Sequence, residues 1–226
     1  VPVDVVGLSS GVAAVAVGGG HSCALTTAGA VKCWGSNSAG QIGDGTTTDR
    51  LTPVKVSGLG SGVAAIDVGG YHTCALTTAG AVKCWGDNSF GAVGDGTTVN
   101  RSVPTGVVGL SSGVATISTG YWHSCAVTVA GAARCWGSNT SGKLGNGLRA
   151  NTSAPTDVQG LGSGVARISA GGDHTCAVTT SGALECWGWN FWGQLGDVTT
   201  TDRLTPVGVS GLGSDVVQVD AGLHAH

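Results

Sequence analysis

The chain has 226 residues, 42 of them glycine, with 10% charged residues and a net charge of −3. An apolar content of 41% is too high for disorder, the glycines keep no collagen period, and the charge balance supplies no basic field for nucleic acid. Glycine and polar residues interrupt every apolar run, so no membrane span is expected.

In chain order, residues 1–11 come first, and Pro2 to Leu8 matches Pro53 to Leu59, the end of a later unit. Val12 to Val17 (VAAVAV) is a short apolar run that Gly18-Gly19-Gly20 breaks. Ser22 to Thr26 reads as a strand and Ala30 to Trp34 as its partner, joined by Thr27-Ala28-Gly29. A three-residue loop with glycine third predicts a type I turn with a G1 bulge. That turn pairs Thr26 with Ala30 and sets Cys23 opposite Cys33 in a non-hydrogen-bonded pair, where side chains come closest. Alternation puts Cys23, Leu25, Val31 and Cys33 on one apolar, buried face, and Ser22, Ala24, Lys32 and Trp34 on the other.

A polar loop, Ser36 to Gln41, follows Gly35, and then Ile42-Gly43-Asp44-Gly45 and a threonine run. Pro53 to Val56 reads as a short edge strand, since proline can only begin or border a ladder. Gly58 to Gly62 turns into the next unit.

The unit then repeats without a slip. His21, His72, His123 and His174, spaced by 51 residues, each open the string His-(Ser/Thr)-Cys-Ala-(Leu/Val). Ten residues after each first cysteine comes a second followed by tryptophan: Cys33-Trp34, Cys84-Trp85, Cys135-Trp136 and Cys186-Trp187. The units are 12–62, 63–113, 114–164 and 165–215 of a single repeat domain, with 1–11 and 216–226 as partial units. Four short strands in about 50 residues is the blade of a β-propeller, so the predicted fold class is all-β, with four propeller blades.

Eight cysteines in four equal pairs predict the disulfides Cys23–Cys33, Cys74–Cys84, Cys125–Cys135 and Cys176–Cys186, and an oxidising, extracellular setting. The rival is metal ligation, but the Cys-x9-Cys spacing fits no common zinc pattern, and no metal or cofactor is expected. The absence of methionine, even at position 1, predicts a processed product or a fragment.

HSCALTTAGAVKCWGSNSAGQIGDG resembles the repeat of the regulator of chromosome condensation family, whose pattern is His-Thr-x-Ala-Leu, a turn glycine, Trp-Gly-x-Asn and Gly-Gln-Leu-Gly. The best single match runs from His174-Thr175 through Trp187-Gly188-Trp189-Asn190 to Gly193-Gln194-Leu195-Gly196. The resemblance implies a β-propeller, and two cysteines per blade resemble the bacterial exported version. Family propellers usually have seven blades, of which four span ~200° of a ~360° turn. End faces like that of Cys23, Leu25, Val31 and Cys33 then want a partner. A longer parent chain, self-association and a closed four-blade ring are the three outcomes.

Copied residues build the repeat. His21, His72, His123 and His174 are expected to bond backbone in a neighbouring loop, and Trp34, Trp85, Trp136 and Trp187 to pack blades, because active sites are asymmetric constellations. Asp44, Asp95 and Asp197 in Gly-Asp-x-Thr strings read as turn caps; Asn146 replaces the aspartate in the third unit, and the spacing matches no EF-hand loop. No catalytic motif stands out, and the chain reads as a non-enzyme.

Residues that break the pattern carry the functional expectation. Tyr71, Phe90, Tyr121, Trp122, Trp189, Phe191 and Trp192 lie before His-x-Cys or after Cys-Trp-Gly, at one end of the hairpin, and should crowd one rim. Such a rim is either a platform for a protein or glycan, with Asp173, Lys143 and Arg149 nearby, or packing between blades. The leading expectation is a non-enzymatic extracellular repeat protein, a surface scaffold or adhesive module that binds through its loop rim or assembles through its end blades. The alternatives are small-GTPase nucleotide exchange with chromatin binding, and a tryptophan-based ultraviolet sensor, both implied by the family resemblance.

Overall fold

The computed structural model describes residue 1 and residues 3–222. Among them the chain forms four four-stranded antiparallel sheets, each with its strands in sequence order from the inner to the outer edge. Blade 1 comprises β1 (Val12–Val17), β2 (His21–Thr26), β3 (Val31–Gly35) and β4 (Arg50–Lys55). Blade 2 comprises β5 (Val63–Val68), β6 (His72–Thr77), β7 (Val82–Gly86) and β8 (Arg101–Gly106). Blade 3 comprises β9 (Val114–Thr119), β10 (His123–Thr128), β11 (Ala133–Gly137) and β12 (Thr152–Asp157). Blade 4 comprises β13 (Val165–Ala170), β14 (His174–Thr179), β15 (Leu184–Gly188) and β16 (Arg203–Gly208).

The hairpin register is the one the turn dictates. Leu25 faces Val31 and Cys23 faces Cys33, while Thr26 N donates to Ala30 O at 2.8 Å. Each of the four cysteine pairs closes a disulfide with its Cα atoms 4.1 Å apart.

The outer strand departs from expectation. It runs over Arg50–Lys55 and carries Pro53 inside it, instead of starting there. The β3–β4 pairing skips: Cys33 faces Val54 and Gly35 faces Arg50, so the ladder is irregular where the proline sits. As the last strand of its sheet, β4 has one free side to take a residue without an N–H.

The core lies between blades. The face of Cys23, Leu25, Val31 and Cys33 packs on Val63, Val68 and Trp85 of blade 2. Cys74 and Cys84 meet Val114 and Trp136, and Cys125 and Cys135 meet Val165, Ile168 and Trp187, in the same way. Both faces of the hairpins in blades 2 and 3 are therefore covered, one by the preceding blade and one by the following blade. A single four-stranded sheet has nothing to shield its second face, so each blade needs neighbours on both sides.

The end faces differ from those expected. The cysteine face of blade 1 is buried against blade 2. In blade 4, Cys176, Cys186 and Leu195 are buried with Val219 packed on them, and Val216 N and Ala221 N donate to Gly182 O and Ser169 Oγ of the same blade. The bare face is the opposite one, on blade 1, where Val15 and Val17 are 65% and 66% exposed. The sequence match from Val216 to His224 ends outside the described residues, at Leu223 and His224, as does Pro2 in the match at the other end.

Candidate functional site

A four-group network joins each pair of blades. His21 Nε2 lies 2.8 Å from Thr73 Oγ1 of the next blade. Thr73 donates its hydroxyl proton to Gln41 O at 3.1 Å, and Trp85 Nε1 donates to the same carbonyl at 2.9 Å. With its one proton given to Gln41, the hydroxyl accepts from the imidazole, which fixes the Nε2–H tautomer. The next seams repeat this with His72, Ser124, Ala92 and Trp136, then with His123, Thr175, Lys143 and Trp187. The expected bond from histidine to backbone is thus indirect: a hydroxyl stands between ring and carbonyl.

Burial holds these histidines neutral. It lowers His21 to about 4, and burial with the repulsion of His21 lowers His72 to about 3. His123 is pushed well below the ordinary histidine value by burial, then by the Lys143 charge and by its neighbours His72 and His174. Nδ1 of His21, His72 and His123 is buried with no hydrogen-bond partner among the described residues. These uncharged rings are tied to structural hydroxyls at the seams, and the tryptophans Trp85, Trp136 and Trp187 are wholly buried.

The loop after Cys-Trp-Gly is shaped from within. Asn37 is fully buried. Its Nδ2 donates to Thr46 O and Thr48 O at 3.1 and 3.0 Å, and its Oδ1 accepts from Ile42 N at 2.9 Å. Asn88, Asn139 and Asn190 do the same in their blades. These asparagines were legible as the constant Asn of Trp-Gly-x-Asn, yet nothing in the string said that one side chain ties three backbone segments.

Asp44 caps the turn by accepting from Thr46 N and Oγ1 at 2.9 and 2.7 Å, and it also pairs with Arg50. Asp95–Arg101 and Asp197–Arg203 repeat that ion pair. Burial pushes Asp197 up, but hydrogen bonds from Thr199, Arg203 and Asn190 outweigh it and hold the carboxyl at about 2. The aspartates are therefore spent inside their loops.

On this frame sit the aromatic residues, in two groups. In the first, Tyr71 stacks on Trp122 with centroids 4.6 Å apart, and Phe90 meets Trp122 edge-on at 5.3 Å. Tyr121 completes it, 5.4 Å from Tyr71 and 5.2 Å from Trp122, with its hydroxyl donating to Tyr71 Oη at 3.3 Å. This group bridges blades 2 and 3. In the second, on blade 4, Trp189 lies parallel to Phe191 at 6.1 Å, and Trp192 meets Phe191 edge-on at 4.8 Å. Phe191 and Trp192 are 59% and 67% exposed, against 37% and 38% for Tyr71 and Phe90.

Buried Lys143 of blade 3 pairs with half-exposed Asp173 of blade 4 at 2.5 Å. Arg149 pairs with Asp202 at 3.3 Å across the same two blades. No cluster of three or more histidine, cysteine or acidic residues able to hold a metal occurs among the described residues.

The sequence profile of the RCC1-like domain matches residues 1–225. The chain belongs to the RCC1-like family. This RCC1-like chain is 34% identical over 198 residues to the Arabidopsis thaliana ultraviolet-B receptor UVR8, covering 86% of the chain and 45% of the receptor. It is 37% identical over 215 residues to the human E3 ubiquitin-protein ligase HERC2, covering 92% of the chain but 4% of that enzyme. Human WBSCR16 superimposes with a TM-score of 0.83 at 27% identity, over 96% of the chain and 57% of that structure. Prp20p from Saccharomyces cerevisiae, described with its binding to Gsp1p and histones, superimposes with a TM-score of 0.77 at 21% identity, over 92% of the chain and 52% of that structure. The last likeness shows fold alone. The RCC1-like chain thus spans about half or less of the length of these relatives.

Proposed function

We propose that this chain is a non-enzymatic, exported propeller scaffold that binds a protein partner through its aromatic rim. One observation carries the reading: large aromatics break a repeat that elsewhere places Gly20, Ser36, Ser38 and Ala39 at the same positions, and Phe191 and Trp192 stand mostly in solvent. Exposed tryptophan beside half-buried aromatics, with a Lys–Asp pair close in sequence, has the composition of an interface hot spot. Four disulfides support an oxidising compartment, and a bacterial exported origin suits that reading. The bare face of blade 1 supports a further contact, by self-association or within a longer parent array.

Screening the purified protein on immobilised extracellular proteins and glycans tests this. Each binder is then measured with Trp192→Ala and Trp122→Ala. A hot spot loses about 2 kcal/mol or more, roughly 30-fold in affinity. Binders unaffected by both substitutions place the contact elsewhere, and binding to glycans alone replaces the protein partner. Eight reactive thiols in the unfolded, unreduced protein would sink the exported reading.

A further inference from the structure

Two blades hold an aromatic residue and an aspartate on one bonded pair of positions, in opposite order. In every blade the amide after Cys-Trp-Gly donates to the carbonyl just before His-x-Cys: Ser36 to Gly20, Asp87 to Tyr71, Ser138 to Trp122 and Trp189 to Asp173, each at 2.9 Å. Blade 2 thus sets Asp87 beside Tyr71, and blade 4 sets Trp189 beside Asp173, while blades 1 and 3 carry a serine and no acid there. Each pair adjoins further rings of the rim, since Tyr71 stacks on Trp122 and Trp189 lies parallel to Phe191.

Neither carboxylate is neutralised at the surface. Asp87 accepts from Ser89 N at 2.9 Å and Ser89 Oγ at 3.2 Å, and it has no basic partner among the described residues. Asp173 pairs with Lys143, but the lysine side chain is 1% exposed and the aspartate 51%, so the acidic end of that pair meets solvent. The charge of the surrounding loops has the same sign. Residues 18–20 and 36–50, with their three repeats, hold seven aspartates against five basic residues. All five, Arg50, Arg101, Lys143, Arg149 and Arg203, are spent in ion pairs with aspartates. Two negative charges are in excess there, and no basic side chain is left to meet an acidic ligand.

We infer that the rim takes basic side chains: an arginine or lysine of the partner protein sits at each of these two pairs, its cation against the ring of Tyr71 or Trp189 and its N–H donors on Asp87 or Asp173. A carboxylate strengthens the hydrogen bonds it accepts from a cation, and the negative face of an aromatic ring attracts the same cation. A planar, weakly hydrated guanidinium satisfies both at once, so arginine fits better than lysine. This rests on the aromatic-rim reading above and names the charge of its partner. An acidic protein would be repelled by the excess charge, and a neutral glycan would gain nothing from it.

The probe is a short rhodamine-labelled peptide of alternating arginine and glycine, followed by fluorescence anisotropy, with a citrulline-for-arginine peptide as the neutral control. The arginine peptide is expected to bind, more weakly as salt is raised, and the citrulline peptide at least about tenfold more weakly. Asp87→Asn keeps an acceptor for Ser89 N and should weaken binding at least about fivefold. Lys143→Met frees the Asp173 carboxylate and should strengthen it by about twofold or more. Asp215→Asn, outside these loops, should leave it unchanged. Equal binding of the two peptides, or equal weakening by Asp87→Asn and Asp215→Asn, overturns the inference. Lys143→Met that leaves binding unchanged or weakens it overturns the blade 4 site. Concentration-dependent self-association that Asp87→Asn abolishes, seen by light scattering, makes a second copy the occupant and overturns the foreign partner. A protein from the screen above that is lost on Trp192→Ala, yet indifferent to salt, Asp87→Asn and Lys143→Met, removes this inference and leaves the rim reading standing. A screen without any Trp-dependent binder removes the rim reading itself.

Discussion

The hydroxyl between each histidine and carbonyl is the smallest unit on which a seam depends. Thr73 satisfies a donor and an acceptor at once while itself fully buried. Thr73→Val keeps the shape and strands both partners, which should cost about 1–3 kcal/mol in urea unfolding, whereas Thr73→Ser should recover most of it, as Ser124 holds the same place one blade on. The histidines add a pH dependence. Their folded values lie below the unfolded value of about 6.5, so the unfolded chain binds more protons in acid. Stability is complete above about pH 6.5 and falls as pH drops toward 4 for His21 and 3 for His72, by roughly 1.4 kcal/mol per pH unit for each. Urea midpoints that stay level between pH 7 and 4.5 would contradict this. The repeat marked these histidines as structural, but their bonding partner, 52 residues away in sequence, follows only from how blades stack.

At the scale of elements, the hairpin is a local decision and the loop after it is not. Thr27-Ala28-Gly29 sets the register that brings Cys23 to Cys33, so turn chemistry and alternation were enough to derive it. Removing one staple with Cys125→Ala and Cys135→Ala should cost roughly 2–3 kcal/mol, the loop entropy of a ten-residue separation. Gly43 belongs to the other class. Its φ is +76°, and an added Cβ would lie 2.6 Å from Trp85 Nε1 of the next blade. Gly58 has a similar φ of +68° with nothing near. Gly58→Ala should therefore cost roughly 1–2 kcal/mol of backbone strain alone, and Gly43→Ala distinctly more, measured by thermal unfolding. The outer strand starts at Arg50, three residues before the proline that the sequence puts at its head, because the rule that excludes proline from a ladder weakens at a sheet edge.

Across the whole molecule, equal sequence does not mean equal role. Trp34 and Trp136 occupy the same place in the repeat, yet one is only partly buried and the other wholly buried. Trp136→Ala should cost about 3–5 kcal/mol, and Trp34→Ala much less, by chemical denaturation. The aromatic residues likewise share one sequence signature but form two groups, of which the blade 4 group exposes more ring surface. Asn139, which opens a glycosylation triplet, is fully buried and so closed to a glycan, a fact the triplet itself does not carry. The sequence by itself determined the blade, its hairpin register, its cysteine pairing and the family resemblance, because turns, alternation and a fixed period act within about 50 residues. Only the tertiary structure decided which faces are covered, which hydroxyl serves which histidine and which tryptophan is left open, because those depend on groups one full repeat apart that meet only when blades stack.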